Sequence, residues 1–593
     1  MMSTTERLGS LREAMAEVNL SAYIVEEVDP HQSEYPPASW RRRSWISGFT
    51  GSAGTVVVTA DKAALWTDSR YYLEAEETLE GTGILLHRDG EEGTPTVEEW
   101  LVDQLAPGAS VGLPEETTSI ARVQGLKESL EGHEIVVRAL SDILLPLWKR
   151  RPEAGASEIW PVSPEVTGEE RGRRLGRLRQ WLADRRLDGI AIASLDDIAW
   201  LLNIRGWDVP YNPVVVAFLL VEREKATLFV RTEVAPGLQE DGVRLENYDR
   251  FYDALRRLPE DYRLAGDPEL LPYRILKLFP GHFRRESQPT RRWKTVKTRQ
   301  ETEGMAECAI RDGVALARFF RWLEEAMEGG KMITEGDCRD ALVDFKADDP
   351  DYLGESFEAI SAVGAHGAII HYRVTPESNA ALSTGELYLL DQGSHYRFGT
   401  TDATRVEALG RSERLQREDY TEVLRAHIAL ATVRFPEGTR GEQLDTVARD
   451  VLWRRGRNYG HGTGHGVGFL LNVHEGPCRI APKCSNVALL PGMVLSNEPG
   501  VYRPGLHGVR FENLMTVVEE EPDSPPGDFG PFLAFRTLGM APIDPRLIDP
   551  TLLSRQERAW IEEYQSTVLA TLGPRLDAPT RSWLEGRSRR PPA

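Results

Sequence analysis

The sequence predicts an α/β (α+β) chain: two successive N-terminal α/β domains, then a larger domain built on an internal pseudo-two-fold repeat. Three observations predict it. Helical and strand periodicities alternate over residues 1–150, and the alternation starts again near Glu170, after a Pro-, Gly- and Ser-containing stretch at 151–169. A helix followed by two strand-like runs, each bearing an acidic residue, then occurs twice in the remaining half. Finally, 593 residues allow three or four domains, and 41% hydrophobic with 27% charged residues is ordinary for a soluble globular chain.

Taken in order, residues 4–18 read as an amphipathic helix, 22–25 as a short strand and 54–59 (GTVVVT) as a β-branched strand before a turn. In the second block, 170–187 is a charged helix, GIAIAS (189–194) a strand and 196–204 a helix. VVVAFLLV (214–221) and ATLFV (226–230) complete it as strands. The similar order of the two blocks suggests duplicated domains. The boundaries fall at 1–155, 156–298 and 299–593, with a C-terminal extension from about 525.

The third region opens with a long helix over 301–327, where Met305, Ala309, Leu316, Phe320 and Leu323 recur among charged residues at helical spacing. A second helix spans 417–434. The first half carries LYLLDQG and TTDATRV; the second carries MVLSNEPGVY and GVRFENLMTVV. An active centre is expected where the two halves face each other. The tail holds an acidic Pro/Asp/Gly stretch from 519, a helix over 554–572 and a basic, Pro-containing end expected to fray.

Composition excludes several classes. A net charge of −21 opposes a phosphate-binding surface, so no nucleic-acid partner is expected. The longest apolar run, 213–221, is strand-sized, and no membrane partner is expected. The first thirty residues carry charges and lack an apolar core with a cleavage site, which points to a cytoplasmic location. Four cysteines without a CxxC pair suit reduced, buried thiols.

The chemistry lies in the repeat. Asp391 ends an apolar run and Asp402 follows eleven positions later; Glu498 ends MVLSN and Glu512 follows fourteen positions later. Any one of them is explained by exposure at a strand end, because Asp and Glu are mostly exposed. Four related by a repeat require shared compensation, since desolvating an unpaired carboxylate costs several kcal/mol. Arg405 and Arg510 could neutralise two; a pair of divalent ions neutralises all four.

Histidines reinforce this. Eight of the twelve fall between His366 and His507. HGTGHGVG (461–468) holds His461 and His465 in a glycine density that disfavours helix, so it is not an HExxH helix, and the Glu is absent. Glycine permits close backbone approach, and neutral imidazole is a good transition-metal ligand. His371 in GAIIHY and His474 in NVHEGP are further candidates, although each alone also fits a satisfied core or surface histidine. Two metals polarise a carbonyl and activate water, so the reaction class is metal-assisted amide hydrolysis. Oxygen-rich ligation favours Mn²⁺, with Zn²⁺ or Co²⁺ also fitting.

GAIIHY, LYLLDQG, TTDATR, HGTGHGVG, NVHEGP, SNEPGVY and GVRFEN, in that order, resemble the pita-bread metallopeptidases, specifically the aminopeptidase P branch. DPHQSEY (29–35), SGFTGSAGT (47–55), WTDSRYY (66–72) and DDIAWLLNIRG (196–206) extend the resemblance over nearly the whole chain. It implies two creatinase-like N-terminal domains and a pita-bread catalytic domain. It also implies Asp391, Asp402, His465, Glu498 and Glu512 as ligands of two metals. His371, His461 and His474 would bind substrate, move protons and stabilise the intermediate, with Tyr502 and Arg510 orienting the ligands. The implied activity is release of the first residue from peptides with proline second, by a homodimer. A prolidase acting on Xaa-Pro dipeptides and an inactive peptide-binding relative are the alternatives. The sequence departs from the family pattern at Phe398, Val374 and Ala408, none of them a ligand.

Overall fold

The computed structural model describes residues 2–153, 155–231, 242–520 and 530–589. Most of the acidic stretch, 521–529, and the basic end, 590–593, lie outside the described residues. The chain forms two compact units, Met1–Pro164 with Glu169–Thr290, and Glu165–Gly168 with Arg291–Ala593.

The first unit contains two six-stranded sheets. The first runs, in spatial order, Leu85–Arg88, Ala63–Thr67, Thr55–Thr59, Ala22–Glu26, Ser110–Pro114, Val136–Leu140. The second runs Val243–Asn247, Ala226–Val230, Ala217–Glu222, Gly189–Ile192, Arg263–Gly266, His282–Arg285. Position by position, neighbours in both sheets alternate identically: parallel, antiparallel, antiparallel, parallel, parallel. This common topology is the duplication that the sequence pattern suggested. The inner strands are buried on both faces and rich in Val, Ile, Leu and Ala, as expected when helices cover both sides, whereas the outer strands are partly exposed.

The two sheets share contacts within this unit. His31 from DPHQSEY is buried; its Nδ1 meets the Ala193 carbonyl at 2.8 Å and its Nε2 meets the Tyr248 hydroxyl at 2.8 Å. Burial pushes its pKa down, so the ring is neutral. The 151–169 stretch is less irregular than its composition implies, because Trp160–Pro161 pairs as a short strand with Ile204–Arg205.

The second unit starts with helix Arg299–Glu328. Thr298 and Glu301 close a capping box at its start, and Met305, Leu316, Phe320 and Leu323 face the core. Each fully buried side chain of that size stabilises by ~1.5–3 kcal/mol. Helix Glu335–Ala347 follows, and the three-stranded sheet Ile360–Val363, Leu387–Gln392, Ala403–Ala408 packs against this pair. Helices Arg414–Ala431 and Gly441–Trp453 accompany the second half. There Val494–Asn497 and Asn513–Glu520 pair antiparallel, as do Leu387–Gln392 and Ala403–Ala408 in the first half. Helix Arg555–Leu572 packs on the same core.

Two corrections, at Cys484 and Arg405, and one placement, of Trp453, concern single residues. Cys308, Cys338 and Cys478 are buried thiols, whereas Cys484 is exposed beside Glu442. Trp453 is 48% exposed, its Nε1 donating to Asn458 Oδ1. Arg405 does not neutralise a carboxylate. It donates to the carbonyls of Thr404, Glu512, Ala541 and Pro542, to Asn513 Oδ1 and to the Tyr564 hydroxyl, so it clamps backbone.

Candidate metal centre

The antiparallel pair in each half delivers two carboxylates. Asp391 lies inside its strand, opposite Thr404. The other three sit at strand ends rather than within strands: Asp402 directly precedes Ala403–Ala408, Glu498 directly follows Val494–Asn497 and Glu512 directly precedes Asn513–Glu520. A strand end frees the side chain from the alternation of the pleat and lets it turn toward the space between the halves. His465 occupies the middle of the short strand Gly464–Gly466. Its glycine neighbours are required: a Cβ on Gly464 would lie 2.1 Å from the Ser496 carbonyl oxygen.

These groups converge. Ligand atoms of Asp402, His465 and Glu512 all lie within 4.8 Å of one another. His465 Nε2 is 3.4 Å from Asp402 Oδ2 and 3.5 Å from Glu498 Oε1. Its Nδ1 faces the Gly466 carbonyl at 3.0 Å, and a carbonyl only accepts, so Nδ1 holds a proton and Nε2 is the metal-facing nitrogen. Glu512 Oε2 accepts from Thr404 Oγ1 at 2.8 Å, one of several hydrogen bonds that join the halves. Asp391 Oδ2 accepts from Arg510 Nη2 at 2.5 Å and from Nε at 3.2 Å.

The electrostatics call for more positive charge. Burial and mutual repulsion raise the pKa values of Asp402 and Glu498, and that of Glu512 rises well above the ordinary range. Burial opposes protonation of His465, but its hydrogen bond to Asp402 and the charges of Glu498 and Asp402 outweigh it and push the ring up to about 9. Asp391 Oδ1 is buried without a hydrogen-bond partner. Such a carboxylate oxygen, beside three carboxylates and one imidazole nitrogen, is a fitting donor set for divalent cations.

Four of the five predicted flanking groups, His461, His474, Tyr502 and Arg510, gather here. His461 Nε2 meets the Tyr502 hydroxyl at 2.8 Å, and that hydroxyl accepts from Arg510 Nη1 at 2.8 Å. His461 Nδ1 donates to the Gly462 carbonyl at 2.7 Å, so Nε2 accepts the tyrosine proton. The His474 ring lies 4.4 Å from that of His465, edge to face. His371 follows Ile370, whose carbonyl accepts from Arg510 Nη2 at 3.4 Å. Two participants escaped sequence reasoning: Thr404, and Ser496, which accepts from His465 N at 2.9 Å and donates to Glu498 Oε1 at 3.2 Å. Both stand inside the quoted motifs, yet an isolated hydroxyl residue carries no signal of a bond to a carboxylate elsewhere in the chain.

The departures lie apart from these bonds. Phe398 stacks under the Arg311 guanidinium at 4.9 Å. Val374 packs against the hydrophobic core, and Ala408 ends its strand with its N–H on Asp544 Oδ2.

Comparison with known proteins agrees with this geometry. Residues 303–519 match metallopeptidase family M24, and 531–590 match the C-terminal region of that peptidase. Residues 7–141 and 150–301 each match the creatinase/prolidase N-terminal domain. Aminopeptidase P2 of Arabidopsis thaliana is 38% identical over 98% of this chain and 88% of its own. A probable Xaa-Pro aminopeptidase P of Pyricularia oryzae is 38% identical over 98% of both chains. The X-prolyl aminopeptidase of Caenorhabditis elegans, described as a cytosolic enzyme with a di-nuclear active site, superposes with a TM-score of 0.95 at 31% identity, covering 99% of this chain and 100% of that one. A prolidase from Thermococcus sibiricus shares the fold over 63% of this chain at 23% identity and a TM-score of 0.50. The chain belongs to the aminopeptidase P branch of the family M24 metallopeptidases, with two creatinase-type domains ahead of the peptidase domain.

Proposed function

We propose that this protein is a metal-dependent aminopeptidase that removes the first residue from peptides with proline second. The carrying observation is the convergence of Asp391, Asp402, His465, Glu498 and Glu512 in a chain matched end to end by Xaa-Pro aminopeptidases. Those five residues would hold two divalent ions, Mn²⁺ being the best fit to oxygen-rich ligation and Zn²⁺ or Co²⁺ the alternatives. When bound, the ions supply Lewis acidity toward the scissile carbonyl and toward water.

The chain's own groups do the rest. Arg510 fixes Asp391 Oδ2 with two N–H donors, and Thr404 fixes Glu512 Oε2, so each half presents one immobilised carboxylate. His461, with Nε2 on the Tyr502 hydroxyl, is positioned to take and return a proton at that nitrogen. An Xaa-Pro bond is a tertiary amide without an N–H, and its prolyl nitrogen must be protonated as it leaves. His371 and His474 are the remaining histidines for substrate contact and that protonation. The division at 155 and 298, a cytoplasmic location and assembly as a homodimer complete the reading. The half-exposed Trp453 offers apolar surface for a subunit contact, and among the described residues no helix is long and apolar enough to cross a membrane.

The test is turnover with and without added Mn²⁺ on an Xaa-Pro-Yaa tripeptide, an Xaa-Pro dipeptide and an Xaa-Ala-Yaa control. Release of free Xaa from the tripeptide but not the control is expected. Cleavage confined to the dipeptide would make the protein a prolidase, and silence on all three with metal present would sink the enzyme reading.

A further inference from the structure

Tyr502 and Arg510 both stand on one hairpin, Gly500–Arg503 with His507–Arg510, which forms a sheet of only two strands. A hairpin of that size is marginally stable alone in water, so its position depends on what grips it. One grip is backbone against backbone: a Cβ on Gly508 would lie 1.6 Å from the Gly367 carbonyl oxygen, in the segment that leads to His371. Val501 and Val509 add apolar packing in the hydrophobic core, and the polar grip is a single carboxylate. Asp419, on helix Arg414–Ala431, is completely buried. It accepts from Arg503 Nε at 2.5 Å and Nη2 at 2.9 Å, from His507 Nε2 at 3.0 Å and from Arg457 Nε at 2.7 Å. Arg503 and His507 are cross-strand partners, so one side chain holds both strands at the same level.

We infer that Asp419 is a positioning residue for catalysis: through Arg503 and His507 it sets the depth of the hairpin, and thereby the Tyr502 hydroxyl on His461 and the Arg510 guanidinium on Asp391. Tyr502 is adjacent to Arg503, and alternation along the strand sends the two side chains to opposite faces. The face turned to the helix is therefore anchored while the other presents the hydroxyl 2.8 Å from His461 Nε2. Burial alone would raise the Asp419 pKa, but its hydrogen bonds from Arg503, His507 and Arg457 hold it far below the usual carboxylate range, so the anchor keeps its charge. A shift on the order of 1 Å at a reacting group costs up to about a hundredfold in rate, which is why an anchor away from the metal ligands matters.

This rests on the aminopeptidase reading, and the experiment separates the two. Full-length wild type, Asp419→Asn, Tyr502→Phe and the double variant are loaded with Mn²⁺, their metal content is measured, and kcat and KM are determined on an Xaa-Pro-Yaa tripeptide. Asp419→Asn should lower kcat about tenfold with KM within about twofold and full metal content, and its effect should shrink, without vanishing, once Tyr502 is already Phe, because the Arg510 route remains. Unchanged kcat per metal-loaded molecule, or an undiminished effect in the Tyr502→Phe background, would overturn the inference. Should Asp419→Asn not fold, Arg503→Gln and His507→Asn each remove one arm and must show the same pattern. Hydrogen exchange of residues 500–510 reports independently of turnover: the hairpin amides should exchange faster in Asp419→Asn. If wild type is inactive on every peptide the functional reading fails, whereas unchanged exchange would refute the anchor itself.

Discussion

At the scale of single residues, the centre is a set of acidic groups that repel one another until a cation joins them. Asp402→Asn should therefore abolish turnover, by at least about a thousandfold, while the metal-free variant melts no lower than metal-free wild type, because a repulsive charge has gone. Only the rise in Tm on adding Mn²⁺ should vanish, as followed by calorimetry. His465 supplies a pH signature. Its folded pKa is raised from 6.5 to about 9, so its contribution to metal-free stability is complete below pH 6.5 and is lost as pH rises through about 9. Raised carboxyl values at Asp402, Glu498 and Glu512 act in the same direction. The Tm of chelator-treated protein should fall across that window, and Mn²⁺ should suppress the fall. Binding of Mn²⁺ near pH 7 should also release about one proton or more, measurable by titration calorimetry in buffers of different ionisation enthalpy.

At the scale of elements, short strands and glycines place these residues. Gly508 meets Gly367 so closely that Gly508→Ala must push apart the hairpin and the segment leading to His371. It should destabilise by about 3 kcal/mol or more and remove activity together with Tm, a combination that chemical denaturation and turnover can check. Thr404→Val should act more gently. Losing the hydroxyl on Glu512 Oε2 is expected to cost about tenfold in kcat, with folding retained. Much of this scale was legible in advance: helix Arg299–Glu328 and strand Leu387–Gln392 follow from apolar spacing. The strand-end placement of Asp402, Glu498 and Glu512 was not, because a local pattern does not say which residue is the last to pair.

At the scale of the whole molecule, buried neutral histidines govern acid tolerance. His427, beside Asn497 O and near Arg405, is pushed down to about 3 by burial and by that guanidinium, and His31 is lowered as well. A depressed histidine stabilises above its ordinary pKa near 6.5 and loses that contribution as pH falls. The metal-loaded protein should accordingly lose thermal stability below about pH 6.5, and His427→Gln should flatten part of the slope in thermal melts. The equivalent six-stranded sheets show how far a repeat is readable. Alternating helix and strand periods suggested two similar blocks, but their identical strand order and parallel or antiparallel signs required the pairing itself.

The sequence alone marked the main elements and the internal repeat, because these depend on local periodicity, and its contiguous motifs, through the family resemblance, pointed to the five-residue donor set. Tertiary structure decided the rest. It moved Arg405 from counter-ion to backbone clamp, left Cys484 and Trp453 exposed, and recruited Thr404 and Ser496 to the carboxylates. It also revealed Asp419 as the anchor of the Tyr502 hairpin. The physical reason is common to all of them: a hydrogen bond between residues many positions apart leaves no mark on either neighbourhood. Which polar side chain finds which partner is settled only when packing brings the segments within about 3 Å.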